Sequence, residues 1–159
     1  MKFNNKISPK NVGSFHKKNE IGLKKAYQSY NKVYVDGDTA FIAGSSSLGD
    51  WYDNFTKIPF WGDLRNSTRY KQADEVLKNN PEINKLVSHS LGGSVSLELQ
   101  KNYPQKNYET TTYGAPVLLG MDKGERYRHR GDPISMFDFN AKNVGFSLNP
   151  FASHSYENY

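Results

Sequence analysis

Cysteine is absent from this 159-residue chain, and tryptophan occurs only twice. Without thiols the chain has no disulfide framework, no thiolate nucleophile and no Cys-ligated zinc or iron–sulfur site. No apolar run approaches the roughly 20 residues that span a bilayer. The opening, MKFNNKISPKNVGSF, carries no apolar stretch behind its charges, so as written it is not expected to act as a secretory signal. The expectation is a soluble single domain, cytoplasmic or packaged in a larger assembly. A chain of this length can bury about 70% of the surface it exposes when unfolded, so its core can hold it together without metal or disulfide.

What the chain does have is an uneven charge. The formal net charge is +5 at pH 7. Residues 1–25 hold seven lysines (Lys2, Lys6, Lys10, Lys17, Lys18, Lys24, Lys25) against Glu20 alone, and the rest of the chain is nearly neutral. This divides the sequence into a basic N-terminal arm, 1–25, and one domain, 26–159. A polar, lysine-rich leader is expected to be largely solvated and partly disordered. Its charge also suits contact with an anionic membrane surface; nucleic acid is not expected as a partner.

Alternating elements follow the arm. KVYVDGDTAFIAG reads as a hairpin turning at Asp36-Gly37, with a second strand apolar on both faces from Ala40 to Ala43. A helix is predicted from about Ser67 to Asn79, ended by Pro81, with Tyr70, Ala73, Val76 and Leu77 on one face. INKLVSH reads as a strand, LGGSVSLELQKNY as a helix, and YETTTYG and ERYRHRG as two more strands. The tail reads as loop. Strand and helix in alternation predict an α/β fold: a mostly parallel sheet, an N-terminal antiparallel hairpin, and helices on both faces. Ser45, Ser90, Gly114 and Asp132 all fall just past predicted strand ends, where such sheets collect functional groups.

The most informative stretch is Ser88-His89-Ser90-Leu91-Gly92-Gly93. A sharp strand-to-helix turn lifts a serine hydroxyl above the sheet and needs small residues two before and two after it, here Ser88 and Gly92. The following helix aims its free N–H groups and positive dipole end at the same point, so the Leu91 amide can serve a developing oxyanion. Serine needs a base at neutral pH. Of four histidines, His16 sits in the arm and is expected at the surface. The His89 ring should face away from its neighbour Ser90, and His129 is expected to be packed or half-exposed on a strand. His154, near the end of the sequence, gives the order Ser, Asp, His. Asp122, Asp132 and Asp138 lie between. Asp132 is preferred because it directly follows a strand and precedes Pro133. Ser45, after FIAG, is the candidate second oxyanion donor.

With these pieces in place, residues 33–159 resemble a minimal class 3 (fungal-type) lipase domain of the α/β-hydrolase superfamily. The carrying segments are FIAGSSSLGDWYDNF, YKQADEVLKNNPEINKLVSHSLGGSVSLEL, TTTYGAPV, RYRHRGDPISMF and SHSYENY. The family's oxyanion motif maps to Gly44, Ser45, Asp50, Trp51 and Asn54, its nucleophile to Ser90, its acid to Asp132 and its base to His154. Two positions depart from the pattern: Ser88 stands where the family has Gly, and Ala43 where it has Arg. The resemblance implies a reduced α/β-hydrolase fold and cleavage of lipid carboxylic esters through a Ser-Asp-His triad and an acyl-enzyme, with no metal or organic cofactor. Ile58, Phe60, Trp61, Phe146 and Phe151, with Val144 and Leu148 beside them, are the candidate substrate-binding residues, being large and apolar in predicted loops. The competing expectation is an idle hydrolase-like scaffold, an interaction domain of a larger assembly such as a virus particle.

Overall fold

The computed structural model describes residues 9–45, 64–116, 124–130, 132, 135, 138–146 and 154–159. Helix α1 spans Pro9–Gln28, and β1 (Val33–Asp36) and β2 (Thr39–Ile42) form the hairpin. They are followed by α2 (Thr68–Asn79), β3 (Lys85–His89), α3 (Leu91–Asn102), β4 (Glu109–Tyr113), β5 (Glu125–Arg130) and β6 (Lys142–Phe146). The six strands form one sheet in chain order. β1 and β2 are antiparallel, and each later neighbour pair is parallel. The fold is thus α/β, with one antiparallel pair at the start of a mostly parallel sheet. Among the described residues no helix is long and apolar enough to cross a membrane.

Alternation along the inner strands builds two cores. Ala40 and Ile42 of β2 and Leu86 of β3 pack with Tyr70, Ala73 and Leu77 of α2 and Val95 and Leu99 of α3. Phe41, Ala43 and Val87 point the other way, toward Leu23 and Ala26 of α1. Because both faces are covered, β2 is apolar from Ala40 to Ile42, as parallel strands between two helix layers are. Ser67 caps α2 by accepting the Tyr70 N–H at 3.2 Å, and Asn80 ends it before Pro81.

Three sequence expectations are corrected here. From Pro9 onward the basic segment is helical, and α1 runs on across residue 25 to Gln28. Its stripe of Asn19, Gly22, Leu23 and Ala26, spaced as one helix face, is buried against the sheet, while Lys17, Lys18, Lys24 and Lys25 face solvent. Lysine count concealed an amphipathic helix. The hairpin turns one residue later than expected, at Gly37-Asp38: Asp36 pairs with Thr39, and of the two turn residues only Gly37 has positive φ, 58°. The tail contains a sixth strand, β6, paired with β5 across an irregularity at Arg128/His129. KNVGF is polar enough to read as loop because β6 is an edge strand on which Lys142, Asn143 and Val144 are exposed.

Candidate active site

All parallel strands present their C-terminal ends to one side of the sheet, and the site assembles there. Ser90 stands between β3 and α3 at φ 55° and ψ −130°, a backbone region that costs a non-glycine residue about 1–3 kcal/mol. The strain is held from both sides: the Ser90 N–H donates to the Tyr113 carbonyl at 2.9 Å, and its own carbonyl accepts the Gly93 N–H at 2.8 Å. Crowding fixes the neighbours. A Cβ at Gly92 would lie 2.3 Å from the Ile42 carbonyl oxygen, and one at Gly44 would lie 2.7 Å from the Ser90 Cβ. Ser88, two residues before Ser90, is fully buried, and its hydroxyl has no hydrogen-bond partner among the described residues.

Three side chains meet on this side of the sheet, Ser90 just after β3, Asp132 just after β5, and His154 from the closing segment. His154 Nε2 lies 2.8 Å from Ser90 Oγ, and His154 Nδ1 lies 3.0 Å from Asp132 Oδ2. A carboxylate only accepts, so Nδ1 carries the proton and Nε2 is free to accept from the serine hydroxyl. Ser90, Asp132 and His154 are 4%, 1% and 3% exposed, so the array lies largely out of water. Asp132 Oδ2 also accepts the Ser135 hydroxyl at 2.7 Å. Tyr159 lies beside it, and its hydroxyl pKa is raised by burial and then by the Asp132 charge. Of the other acids considered, Asp138 is engaged elsewhere, in a buried ion pair with Arg126 at 3.1 Å. Burial outweighs Arg126 there and raises the Asp138 carboxyl above its usual range. Asp122 lies outside the described residues.

Leu91 is the first residue of α3, so its N–H lies outside the helix's own hydrogen-bond ladder. Ser45 follows β2, half-buried, next to Gly44. The end of β2 is held by two side chains that sequence reading did not single out. Arg69 of α2 donates to the Ala43 carbonyl at 2.8 Å, and the Gly44 N–H donates to the Tyr27 hydroxyl at 3.2 Å. Asp50, Trp51 and Asn54 lie outside the described residues.

The other histidines have their own partners. His16, expected at the surface, is half-buried on α1 with Nδ1 2.8 Å from the Tyr113 hydroxyl. His89 points to the α1 side and engages Tyr27 and the backbone of His154 rather than Ser90. His129 is buried on β5 against Tyr159, ring centroids 4.6 Å apart. Of the substrate-binding candidates, Phe146 lies on β6, whereas Ile58, Phe60, Trp61, Leu148 and Phe151 fall outside the described residues. Val144 is 37% exposed on β6. Among the described residues no group of three His, Asp or Glu side chains could hold a metal ion.

Sequence reading missed Tyr27, Arg69 and Ser135. Tyr27 had a usable signal, since it adjoins the Leu23–Ala26 stripe of an amphipathic helix. Arg69 and Ser135 act through tertiary approach and carry none. Chemically, the assembled array can take a proton from a hydroxyl, hold the resulting imidazolium against a carboxylate, and offer amide donors at a helix N-terminus. Set against known proteins, the chain matches no protein-family model and no curated protein.

Proposed function

We propose that this chain is a serine hydrolase that cleaves carboxylic esters, lipid esters foremost. One observation carries the reading: Ser90, His154 and Asp132 are linked by two hydrogen bonds in the order that nucleophilic catalysis needs. Structural serines at βα turns do not require a buried imidazole–carboxylate pair aimed at their hydroxyl.

In the proposed reaction Ser90 Oγ attacks the ester carbonyl carbon while His154 Nε2 takes the hydroxyl proton. Asp132 holds the ring and offsets its positive charge. The negative oxygen of the tetrahedral intermediate is received by the Leu91 and Ser45 amides. Collapse expels the alcohol, which leaves with the proton from His154. Water then attacks the acyl-enzyme, gives its proton to the same nitrogen, and releases the carboxylic acid and free Ser90. Strain at the Ser90 backbone and the preformed amides mean little reorganisation is left for the reaction itself.

The lipid preference rests on α1. Lys17, Lys18, Lys24 and Lys25 are exposed along one side of it, Ile21 among them is 51% exposed, and Tyr30 just beyond is fully exposed. A cationic face with apolar points suits an anionic lipid–water boundary. The test compares hydrolysis of a p-nitrophenyl ester, the matching anilide, and phospholipid vesicles with and without anionic lipid. Ester cleavage without anilide cleavage is expected, with vesicle hydrolysis rising with anionic fraction and falling with added salt. Anilide cleavage at the ester rate would make the chain an amidase or peptidase. Indifference to both charge and salt would remove the role given to α1.

A further inference from the structure

His89 sits one residue before the proposed nucleophile and is 3% exposed, yet it makes no contact with Ser90 of the kind a base needs. Its ring is bonded at both ends. Nε2 lies 2.6 Å from the His154 carbonyl oxygen, and Nδ1 lies 2.6 Å from the Tyr27 hydroxyl. The protons in this chain have one consistent arrangement. A carbonyl only accepts, so Nε2 of His89 carries the hydrogen. In a neutral ring Nδ1 is then the acceptor, and the Tyr27 hydroxyl donates to it. The Tyr27 oxygen, having donated, is free to accept the Gly44 N–H. Every group is used once, without conflict.

We propose that Tyr27 and His89 form a positioning bridge, running from the Gly44 amide to the His154 backbone, that sets the oxyanion strand and the base in register with Ser90. The inference rests on the hydrolase reading and assigns a task within it. The end of β2 supplies one oxyanion donor, and the residue-154 segment supplies the base; the two are far apart in sequence. The bridge is a direct polar link between them, and His89 within it is covalently attached to Ser90. Ring packing holds it in place: Tyr27 stacks on Tyr156 at 5.0 Å and 15°, and the His89 and His154 rings lie 4.9 Å apart. The hydrogen bonds of Tyr27 and His89 toward the site run to the Gly44 amide and the His154 carbonyl, which makes them positioning residues. They act through Gly44 and His154.

The experiment uses the full chain with Tyr27→Phe, His89→Leu and His89→Gln. Tyr27→Phe keeps the stacked ring and removes only the hydroxyl; His89→Gln can still accept at one end of its amide and donate at the other. Misplacing a reacting group by about 1 Å costs on the order of 100-fold. Tyr27→Phe and His89→Leu are therefore expected to lose about 10–100-fold in kcat on a soluble p-nitrophenyl ester with KM little changed. His89→Gln should recover most of the loss. Nitrogen NMR of the His89 ring, recorded on Ser90→Ala protein, should show a protonated Nε2 and a bare Nδ1 at pH 7. Unchanged kcat in folded Tyr27→Phe, no recovery in folded His89→Gln, or the opposite tautomer overturns the bridge. An inert wild-type protein overturns instead the hydrolase reading, and the tautomer still decides on the same sample whether the bridge exists.

Discussion

Asp132→Asn is expected to leave the protein folded and to lower kcat on its ester substrates by about 10⁴-fold. The side chain is 1% exposed and its Oδ2 accepts from both His154 Nδ1 and Ser135 Oγ, so the effect comes from which atom faces the imidazole. If the asparagine NH₂ turns toward His154, Nδ1 must accept. Nε2 then carries the ring proton toward Ser90 and cannot take the serine's. If the amide oxygen stays in place, the tautomer survives but the negative charge that stabilises the imidazolium is gone. Asparagine has nearly the shape of aspartate, which separates loss of chemistry from loss of fold. Circular dichroism and kcat on one preparation check this. A folded variant within tenfold of wild type would mean that another group, or none, orients His154.

The second large effect is acid lability centred on His89. Burial first, and then the neighbouring His154, push its pKa down to about 3 from 6.5; its bond to the His154 carbonyl and the Asp132 charge act the other way. The groups around it are Tyr27 of α1, Tyr156 and Tyr159 of the closing segment, and the His154–Asp132 pair. The sign follows from proton counting. Between pH 6.5 and about 3 the unfolded chain holds a proton on this ring and the folded one does not. Stability is then present in full above pH 6.5 and falls as pH drops, by up to about 1.4 kcal/mol per pH unit from this group alone. Over the whole window the loss is on the order of 5 kcal/mol, a large share of the roughly 5–15 kcal/mol that holds a domain together. Urea unfolding at a series of pH values should show the decline, and His89→Gln, which cannot titrate, should flatten it. Equal slopes in the two proteins would mean that the native ring takes up its proton at an ordinary pH.

What the sequence disclosed, and what it hid, divides along physical lines. The strand–turn–helix around Ser90 is local: its small residues and the helix start are written within a few positions, and they read correctly. Asp132 and His154 were found through strand ends and chain order, which also survive in one dimension. The inner strands read well because burial on both faces makes them apolar, as at Ala40–Ala43. The edge strand β6 has no such pressure, so its polar Lys142–Asn143 start looked like loop. Helix α1 was hidden by its lysines. Its buried face uses Asn19 and Gly22, neither of which raises a hydrophobic signal. Gly22 is there because the Phe41 ring leaves no room for a Cβ, the nearest ring carbon lying 2.2 Å from where it would stand. Asn19 donates to the Tyr113 hydroxyl at 2.8 Å, a contact across most of the chain that no spacing rule can anticipate. The Tyr27–His89–His154 bridge belongs to the same class, and so does the Arg69 grip on Ala43.

The central claim is that Ser90 is an activated nucleophile, and the most direct measurement is reaction with a fluorophosphonate probe followed by peptide mass spectrometry. Wild-type protein is expected to carry one adduct, on Ser90, formed at least about 100-fold more slowly in His154→Ala and absent from Ser90→Ala. No adduct on folded protein, with lipid and detergent both tried, or an adduct whose rate ignores His154, would contradict the account and leave the three residues as a structural knot in a binding domain.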